Sequence, residues 1–150
     1  MLRNCRCACH FWWLPAAFHG SKHLKLRLQY NSIRLRLTRT EVDCVQRDGR
    51  VAAAVFFPDG ARLEYSLEAS AAIAEAEARF ADGRLVVSVP AQALRQWAST
   101  EQVSIPASQT LGDGDELAIL VEKDFACLTP REGEDESDMF PNPLQGQENC

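Results

Sequence analysis

The segment Val121–Leu128 carries the side chains of this chain that are best suited to chemistry. It reads Val-Glu-Lys-Asp-Phe-Ala-Cys-Leu, so two carboxylates, an ammonium and a thiol follow the end of an apolar strand. A cysteine beside a lysine can have a lowered pKa and become reactive. More often, a free cysteine acts as a small buried hydrophobe, and no histidine follows His23 to activate it. We predict a binding site here, formed by Glu122, Lys123, Asp124 and Cys127.

A second candidate surface, which we call the basic hairpin, consists of Lys25, Arg27, Arg34 and Arg36. These residues alternate with apolar ones in 24–30 and 33–37, so two paired strands would place them on one polar face. Like charges that lie opposite each other are unfavourable, and an anionic group must therefore lie nearby. The alternatives are the acidic tail, nucleic acid, or a neighbouring strand that carries Glu64, Glu68, Glu75 or Glu77. Neutralisation within the chain is the favoured interpretation.

Two other clusters resemble metal sites only superficially. The acidic run 132–138 lacks the alternating ligands and the glycine of a calcium loop, and we interpret it as a solvated charge run. Near the start, Cys5, Cys7 and Cys9 precede His10, but haem attachment needs two residues between its cysteines. Thiolates can bind zinc or copper, yet residues 1–23 show no helical or strand period. We predict an extraneous or disordered extension, no metal and no cofactor.

Composition limits the class of protein. The chain has 150 residues, 46% hydrophobic and 25% charged, and a net charge of -5. This is the profile of one soluble domain, and no apolar run is long enough to cross a bilayer. Residues 1–40 are basic and residues 131–150 acidic, a balance unlike that of a bulk nucleic-acid binder. The uneven spacing of the six cysteines argues against a disulfide framework and predicts a reducing cytoplasm.

The elements that must position these residues repeat at an offset of 52. The alternating segments 33–38 and 85–90 each run into a short helix and then a strand. At this offset, Val42 falls on Leu94, Val45 on Trp97, Val51 on Val103 and Ala53 on Ile105. We predict an α+β domain over 24–128 with eight strands and two short helices. An internal duplication would give two similar hairpin–helix–hairpin halves in one curved sheet or a partly closed barrel. The ambiguous segment 74–80 is assigned to a strand.

The segment 129–150 is predicted to be an acidic, proline-containing tail. Phe140 is the only large aromatic residue beyond Phe125, and burial of one such side chain contributes about 1.5–3 kcal/mol. We therefore predict that Phe140 docks back on the domain and that Cys127 is a buried, inert packing residue.

Three segments carry a family resemblance: Asn31–Thr38, Val121–Leu128 and Phe140–Pro143. Together they resemble an uncharacterised family of small bacterial proteins, of the domain-of-unknown-function kind, over about residues 24–143. The resemblance implies a bacterial source but no activity and no functional residues. More weakly, 87–95 is similar to swapped-hairpin transcription-factor domains, in which a loop and basic residues grip DNA. This chain departs from them because only Arg95 lies nearby and both halves share one chain.

The sequence thus predicts a small, soluble, non-enzymatic protein of unknown function that binds another protein. Its contact surface would be the basic hairpin together with the strand end at Glu122–Cys127. One alternative is a DNA-binding regulator that uses the basic hairpin. The other is a thiol- or metal-dependent enzyme that uses Cys127 and nearby carboxylates. An enzyme and a membrane protein are both disfavoured.

Overall fold

A computed structural model describes residues 24–127 and 135–144 of the chain. The order of elements in it is β, β, α, β, β, twice over. They are β1 (Lys25–Leu28), β2 (Ser32–Leu37), α1 (Arg39–Asp48), β3 (Arg50–Phe56), β4 (Arg62–Ser70), β5 (Glu77–Ala81), β6 (Arg84–Pro90), α2 (Ala91–Ser99), β7 (Ser104–Thr110) and β8 (Glu116–Lys123). None of the described helices is long and apolar enough to cross a membrane.

Each half of the chain contributes one hairpin to each of two four-stranded sheets. Sheet A has the order β1-β2-β8-β7, and sheet B has the order β3-β4-β6-β5. The two halves meet inside each sheet along a parallel pair of strands, β2 with β8 and β4 with β6. If each strand of sheet A is replaced by its equivalent in the other half, the order becomes β5-β6-β4-β3, which is the order of sheet B. The predicted α+β fold of two hairpin–helix–hairpin halves is therefore confirmed, and neither described sheet closes on itself, which favours the curved-sheet form of the prediction.

The offset between the halves changes after the helices. Ser32 pairs with Ala118, and the equivalent pair is Arg84 with Glu64, so the first hairpins are 52 residues apart and the second hairpins 54. The predicted matches of Val51 with Val103 and of Ala53 with Ile105 are wrong by two residues. A strand repeats every two residues, and both offsets therefore place apolar residues on the same face.

Turn residues determine the first hairpin of each half, β1–β2 and β5–β6. Gln29 and Ser32 exchange backbone hydrogen bonds of 3.1 and 3.0 Å, which confirms a tight hairpin between β1 and β2. Between β5 and β6, Asp82 and Gly83 have φ values of 49° and 72°, as an Asp-Gly turn predicts. A Cβ atom on Gly83 would lie 2.8 Å from the Arg62 carbonyl oxygen. Strand β5 begins at Glu77, three residues later than predicted, because 71–76 is irregular.

The core lies where the inner sheet faces meet one face of each helix. Its fully buried side chains come from both halves and both sheets: Leu35, Leu37, Leu67, Val87, Val89, Leu94, Trp97 and Val121. Alternation buries every second residue of β2, whose pattern Ile33, Leu35 and Leu37 points inward while the arginines between them point outward. The same alternation positions the candidate site on the outer face of sheet A.

Candidate functional site

The basic hairpin lies against the end of β8 because β2 and β8 are parallel neighbours. The register places Arg36 beside Glu122, and Arg36 Nε lies 2.5 Å from Glu122 Oε1. Arg34 Nε lies 3.8 Å from the same oxygen. On the outer strand, Lys25 Nζ lies 2.9 Å from Asp124 Oδ2. Five of the eight predicted site residues therefore form one charged cluster.

The expected neutralisation within the chain is present, but its carboxylates are not those proposed from the sequence. The strand glutamates named as alternatives in the sequence are Glu64, Glu68, Glu75 and Glu77. Of these, Glu64 and Glu68 lie on β4 and Glu77 on β5, both in sheet B, whereas β2 and β8 belong to sheet A. The actual partners, Glu122 and Asp124, belong to the other candidate surface, the strand end at Glu122–Cys127.

The outer face of sheet A keeps a surplus of positive charge. Arg27 lies opposite Arg34, and its guanidinium donates a hydrogen bond of 2.8 Å to Gln29 Oε1. It has no carboxylate partner within the described residues. Arg34 and Arg36 share the single carboxylate of Glu122, whose side chain is only 16% exposed. We call this surface, made of Lys25, Arg27, Arg34, Arg36, Glu122 and Asp124, the basic face.

Lys123 is excluded from the basic face by strand alternation. It points inward and is 6% exposed. Its ammonium donates a hydrogen bond to the carbonyl of Thr100, at the end of α2. The nitrogen also lies 5.7 Å from the ring centre of Trp97 and 5.3 Å from that of Phe140, within the range of cation–π attraction. Lys123 thus ties α2 to β8 instead of facing a ligand on sheet A.

Cys127 lies beyond the end of β8, three residues after Asp124. It is half-buried, a free thiol, and more exposed than the fully buried residue that we predicted. Its backbone amide donates a hydrogen bond of 3.3 Å to Glu136 Oε1. Among the described residues, no three histidine, cysteine or acidic side chains are grouped so that they could hold a metal ion.

The described part of the tail packs on the domain, which confirms the predicted docking of Phe140. The Phe140 amide donates to the carbonyl of Asp124 at 2.8 Å, and the Ala126 amide donates to the carbonyl of Phe140 at 2.9 Å. The rings of Phe125 and Phe140 are 5.9 Å apart, and Phe140 packs against the core. The tail therefore extends sheet-like pairing past the end of β8.

Asp138 of the tail contacts the start of α1, a role that the sequence did not predict. The Arg39 amide donates to the Asp138 carbonyl at 2.9 Å. Asp138 Oδ1 accepts from the Thr40 amide at 3.2 Å and from Thr40 Oγ1 at 2.8 Å. A helix start carries free amides and partial positive charge, which a carboxylate satisfies. No local signal links an aspartate to a helix that begins about a hundred residues earlier in the chain.

The sequence also did not predict a second charged cluster, which lies on sheet B. Glu64, whose side chain is 9% exposed, lies 3.2 Å from Arg50, 3.1 Å from Arg62 and 3.7 Å from Arg84. Arg50 also contacts Glu68 at 2.9 Å. The cluster needs the parallel pairing of β4 with β6, which no sequence pattern reveals.

The fold and site define an α+β protein of two interlocked halves that carries charged networks on both outer sheet faces. The chain belongs to a family of unknown function, DUF7009, whose model matches residues 24–144. This confirms the resemblance to a domain-of-unknown-function family. No curated protein and no solved structure matches the chain.

Proposed function

We propose that this protein is a small, soluble, non-enzymatic binding module whose basic face docks an acidic segment of another protein. The observation that carries the proposal is the surplus of positive charge on that face. Among residues 24–127 and 135–144, Arg27 has no carboxylate partner, and Arg34 and Arg36 share one carboxylate. Each guanidinium has five N–H donors, so donors remain free for a ligand carboxylate.

The carboxylates of the face orient the cations for binding. Glu122 holds two guanidiniums from the side of β8, and Asp124 holds the ammonium of Lys25. The side chains of Arg34 and Arg36 still expose 36% and 44% of their surface. Preorganised guanidiniums lose less freedom on binding a carboxylate, and they bind it with two parallel hydrogen bonds.

An acidic protein segment fits this face better than duplex DNA. The dense phosphates of a duplex draw on many unpaired Lys and Arg. The basic face has four cations and two carboxylates, Glu122 and Asp124, and this small surplus suits a short acidic segment. A DNA-binding regulator remains the second candidate, because the same cations would carry it. A thiol enzyme is less well supported, since the Cys127 amide faces Glu136 and no basic side chain contacts the thiol in the described residues.

The proposal extends to the organisation and the setting of the chain. Residues 24–128 would form the binding domain, with 129–150 as an acidic tail whose described part, 135–144, packs against it. Free Cys44 and Cys127 support a reducing compartment, which we place in a bacterial cytoplasm.

Binding to two labelled probes tests the proposal. Fluorescence anisotropy would compare a glutamate-rich peptide with a DNA duplex of equal charge at low ionic strength. The double variant Arg27→Gln/Arg34→Gln should weaken peptide binding about fivefold, since two exposed charges that contribute about 0.5 kcal/mol each together contribute about 1 kcal/mol. The matched control is Arg79→Gln/Arg95→Gln, which removes two exposed arginines away from the basic face.

The outcomes separate the two candidate functions. Tighter peptide than duplex binding, lost in the first variant and kept in the control, supports the proposal. Tighter duplex binding with the same pattern of loss would replace it with the DNA-binding regulator. Equal losses in both double variants would show that only net charge matters, and this would refute a specific basic face.

A further inference from the structure

The four edge strands of the two sheets differ in how they are protected. An exposed edge offers unpaired backbone groups to any other strand, and proteins block such edges with charged residues or proline. Strand β1 carries Lys25 and Arg27, β5 carries Glu77 and Arg79, and β7 carries Pro106. The sequence of β3 is Arg-Val-Ala-Ala-Ala-Val-Phe, with no charge and no proline after its first residue.

The two equivalent strands β3 and β7 show the difference position by position. The Phe57 amide donates to the Ala61 carbonyl, and the Leu111 amide donates to the Asp115 carbonyl. In both strands, the odd-numbered residues therefore direct their backbone amides and carbonyls toward the neighbouring strand of the sheet. Even-numbered residues therefore direct their amides and carbonyls to the free edge. Pro106, which has no amide to donate, stands at the position equivalent to Ala52. The β7 edge is interrupted there, and the β3 edge is continuous.

The side chains around the β3 edge leave room for another backbone. Ala52, Ala53 and Ala54 are small on both faces of the strand, and the two residues that follow are apolar and open, with Val55 44% and Phe56 70% exposed. No backbone hydrogen bond reaches this free edge from the rest of the described chain. Arg50 is already engaged by Glu64 and Glu68, so the edge does not select a charged partner strand.

We propose that β3 pairs antiparallel with β3 of a second copy of this chain, about a two-fold axis at Ala53. Sheet B then continues across the dimer. This register places Ala52 of each copy opposite Ala54 of the other, and Arg50 opposite Phe56. No like charges meet, and the uncharged run 51–56 is complementary to itself. The exposed Phe56 ring gains a cover in the stem of the arginine from the second copy. The surface is separate from the basic face.

Sedimentation of the full chain between about 1 and 500 μM, combined with hydrogen exchange, tests the pairing. The wild type should show a concentration-dependent dimer, with the amides of Ala52, Ala54 and Phe56 protected at the high end and exchanging on dilution. Ala52→Pro copies the residue that β7 already carries, and it should weaken the dimer at least tenfold. Ala54→Lys places like charges near the two-fold and should do the same. Ser108→Lys on β7 is the matched control and should leave the dimer unchanged.

Three results would overturn the proposal. One is a wild type that stays monomeric at 500 μM while these amides exchange freely. Another is protection of the same amides in a monomer, which would show that another segment of the chain covers β3. The third is a dimer that Ala54→Lys leaves intact. If Ala52→Pro does not fold, Ala54→Lys and the exchange pattern decide the question.

Discussion

The two halves of the molecule share their backbone pairing but hold their helices in opposite ways. Helix α1 is held at its start, where the Thr38 amide donates to Glu41 Oε2 at 2.9 Å and Asp138 Oδ1 accepts from the Thr40 amide. It ends at Gly49, whose left-handed conformation suits a helix end. Helix α2 has no acidic residue in its first turn and no glycine cap. Its end is held by the ammonium of Lys123.

This difference teaches that the two similar halves keep equivalent backbone hydrogen bonds although their side chains differ. The Ala69 amide donates to the Gly49 carbonyl, and the equivalent Lys123 amide donates to the Val103 carbonyl. The same strand position is thus an alanine in one half and a buried lysine in the other. Lys123 and Asp138 both lie in the last part of the chain, which therefore reaches the helices of both halves.

The sharpest way to test the comparison is to truncate the matched core residues of the two helices. Trp97 is fully buried, and its equivalent Val45 is 3% exposed. We expect Trp97→Ala to lower the free energy of unfolding by about 3–5 kcal/mol, since it also removes the Trp97 Nε1 hydrogen bond to the Val103 carbonyl. Val45→Ala should cost about 1.5–3 kcal/mol. Urea unfolding measures both, and equal losses would contradict the expectation that the larger buried side chain of α2 contributes more to stability than its equivalent in α1.

Removal of the tail contact should have the next largest effect. We expect Phe140→Ala to cost about 1.5–3 kcal/mol, because the ring packs against Phe125 and under the ammonium of Lys123. Thermal unfolding measures the loss, and limited proteolysis should show faster cleavage after Met139. Leu144→Ala, at a residue 53% exposed, is the control and should change neither. Unchanged stability of Phe140→Ala would mean that the tail contributes nothing to the fold.

The contact between Asp138 and α1 gives a smaller and more local effect. Asp138→Ala should cost about 0.5–2 kcal/mol, the range for loss of a capping acceptor. Hydrogen exchange should locate the loss at the amides of Arg39 and Thr40 and leave α2 unaffected. Glu75→Ala, which removes an exposed carboxylate outside both sheets, controls for net charge. Faster exchange in both helices would contradict the view that Asp138 holds α1 and Lys123 holds α2 independently.

The smallest expected effect concerns Tyr65, whose equivalent in β8 is Ile119. Burial and then the nearby Glu41 carboxylate raise the pKa of Tyr65 above its ordinary value. The unfolded chain therefore loses this proton first, and stability is full below pH about 10 and falls as the pH rises further. Tyr65→Phe should remove that part of the alkaline loss. At neutral pH it should cost about 0.5–1.5 kcal/mol, through the hydrogen bond to the Leu24 carbonyl. An identical alkaline profile in both proteins would reject this assignment.

Much of the fold could be predicted because its signals are local. Alternation revealed β2 and β6, the Asp82-Gly83 pair revealed a hairpin, and a lone Phe140 pointed to a docked tail. The 54-residue offset could not be predicted, because a shift of two residues leaves every strand side chain on its face. The carboxylate partners could not be predicted either. Arg36 and Glu122 are 86 residues apart and meet only through a parallel strand pair.

The exchange of hairpins between the sheets has a consequence for biosynthesis. Strand β2 cannot complete its pairing until β8 has been made, although β1, β2 and α1 leave the ribosome early. Sheet A thus depends on contacts between distant parts of the sequence, which make folding slow. During translation the backbone edge of β2 that pairs with β8 stays unpaired until β8 has been made. Sheet A therefore reaches its full set of strand pairs only after the second half of the chain has been synthesised.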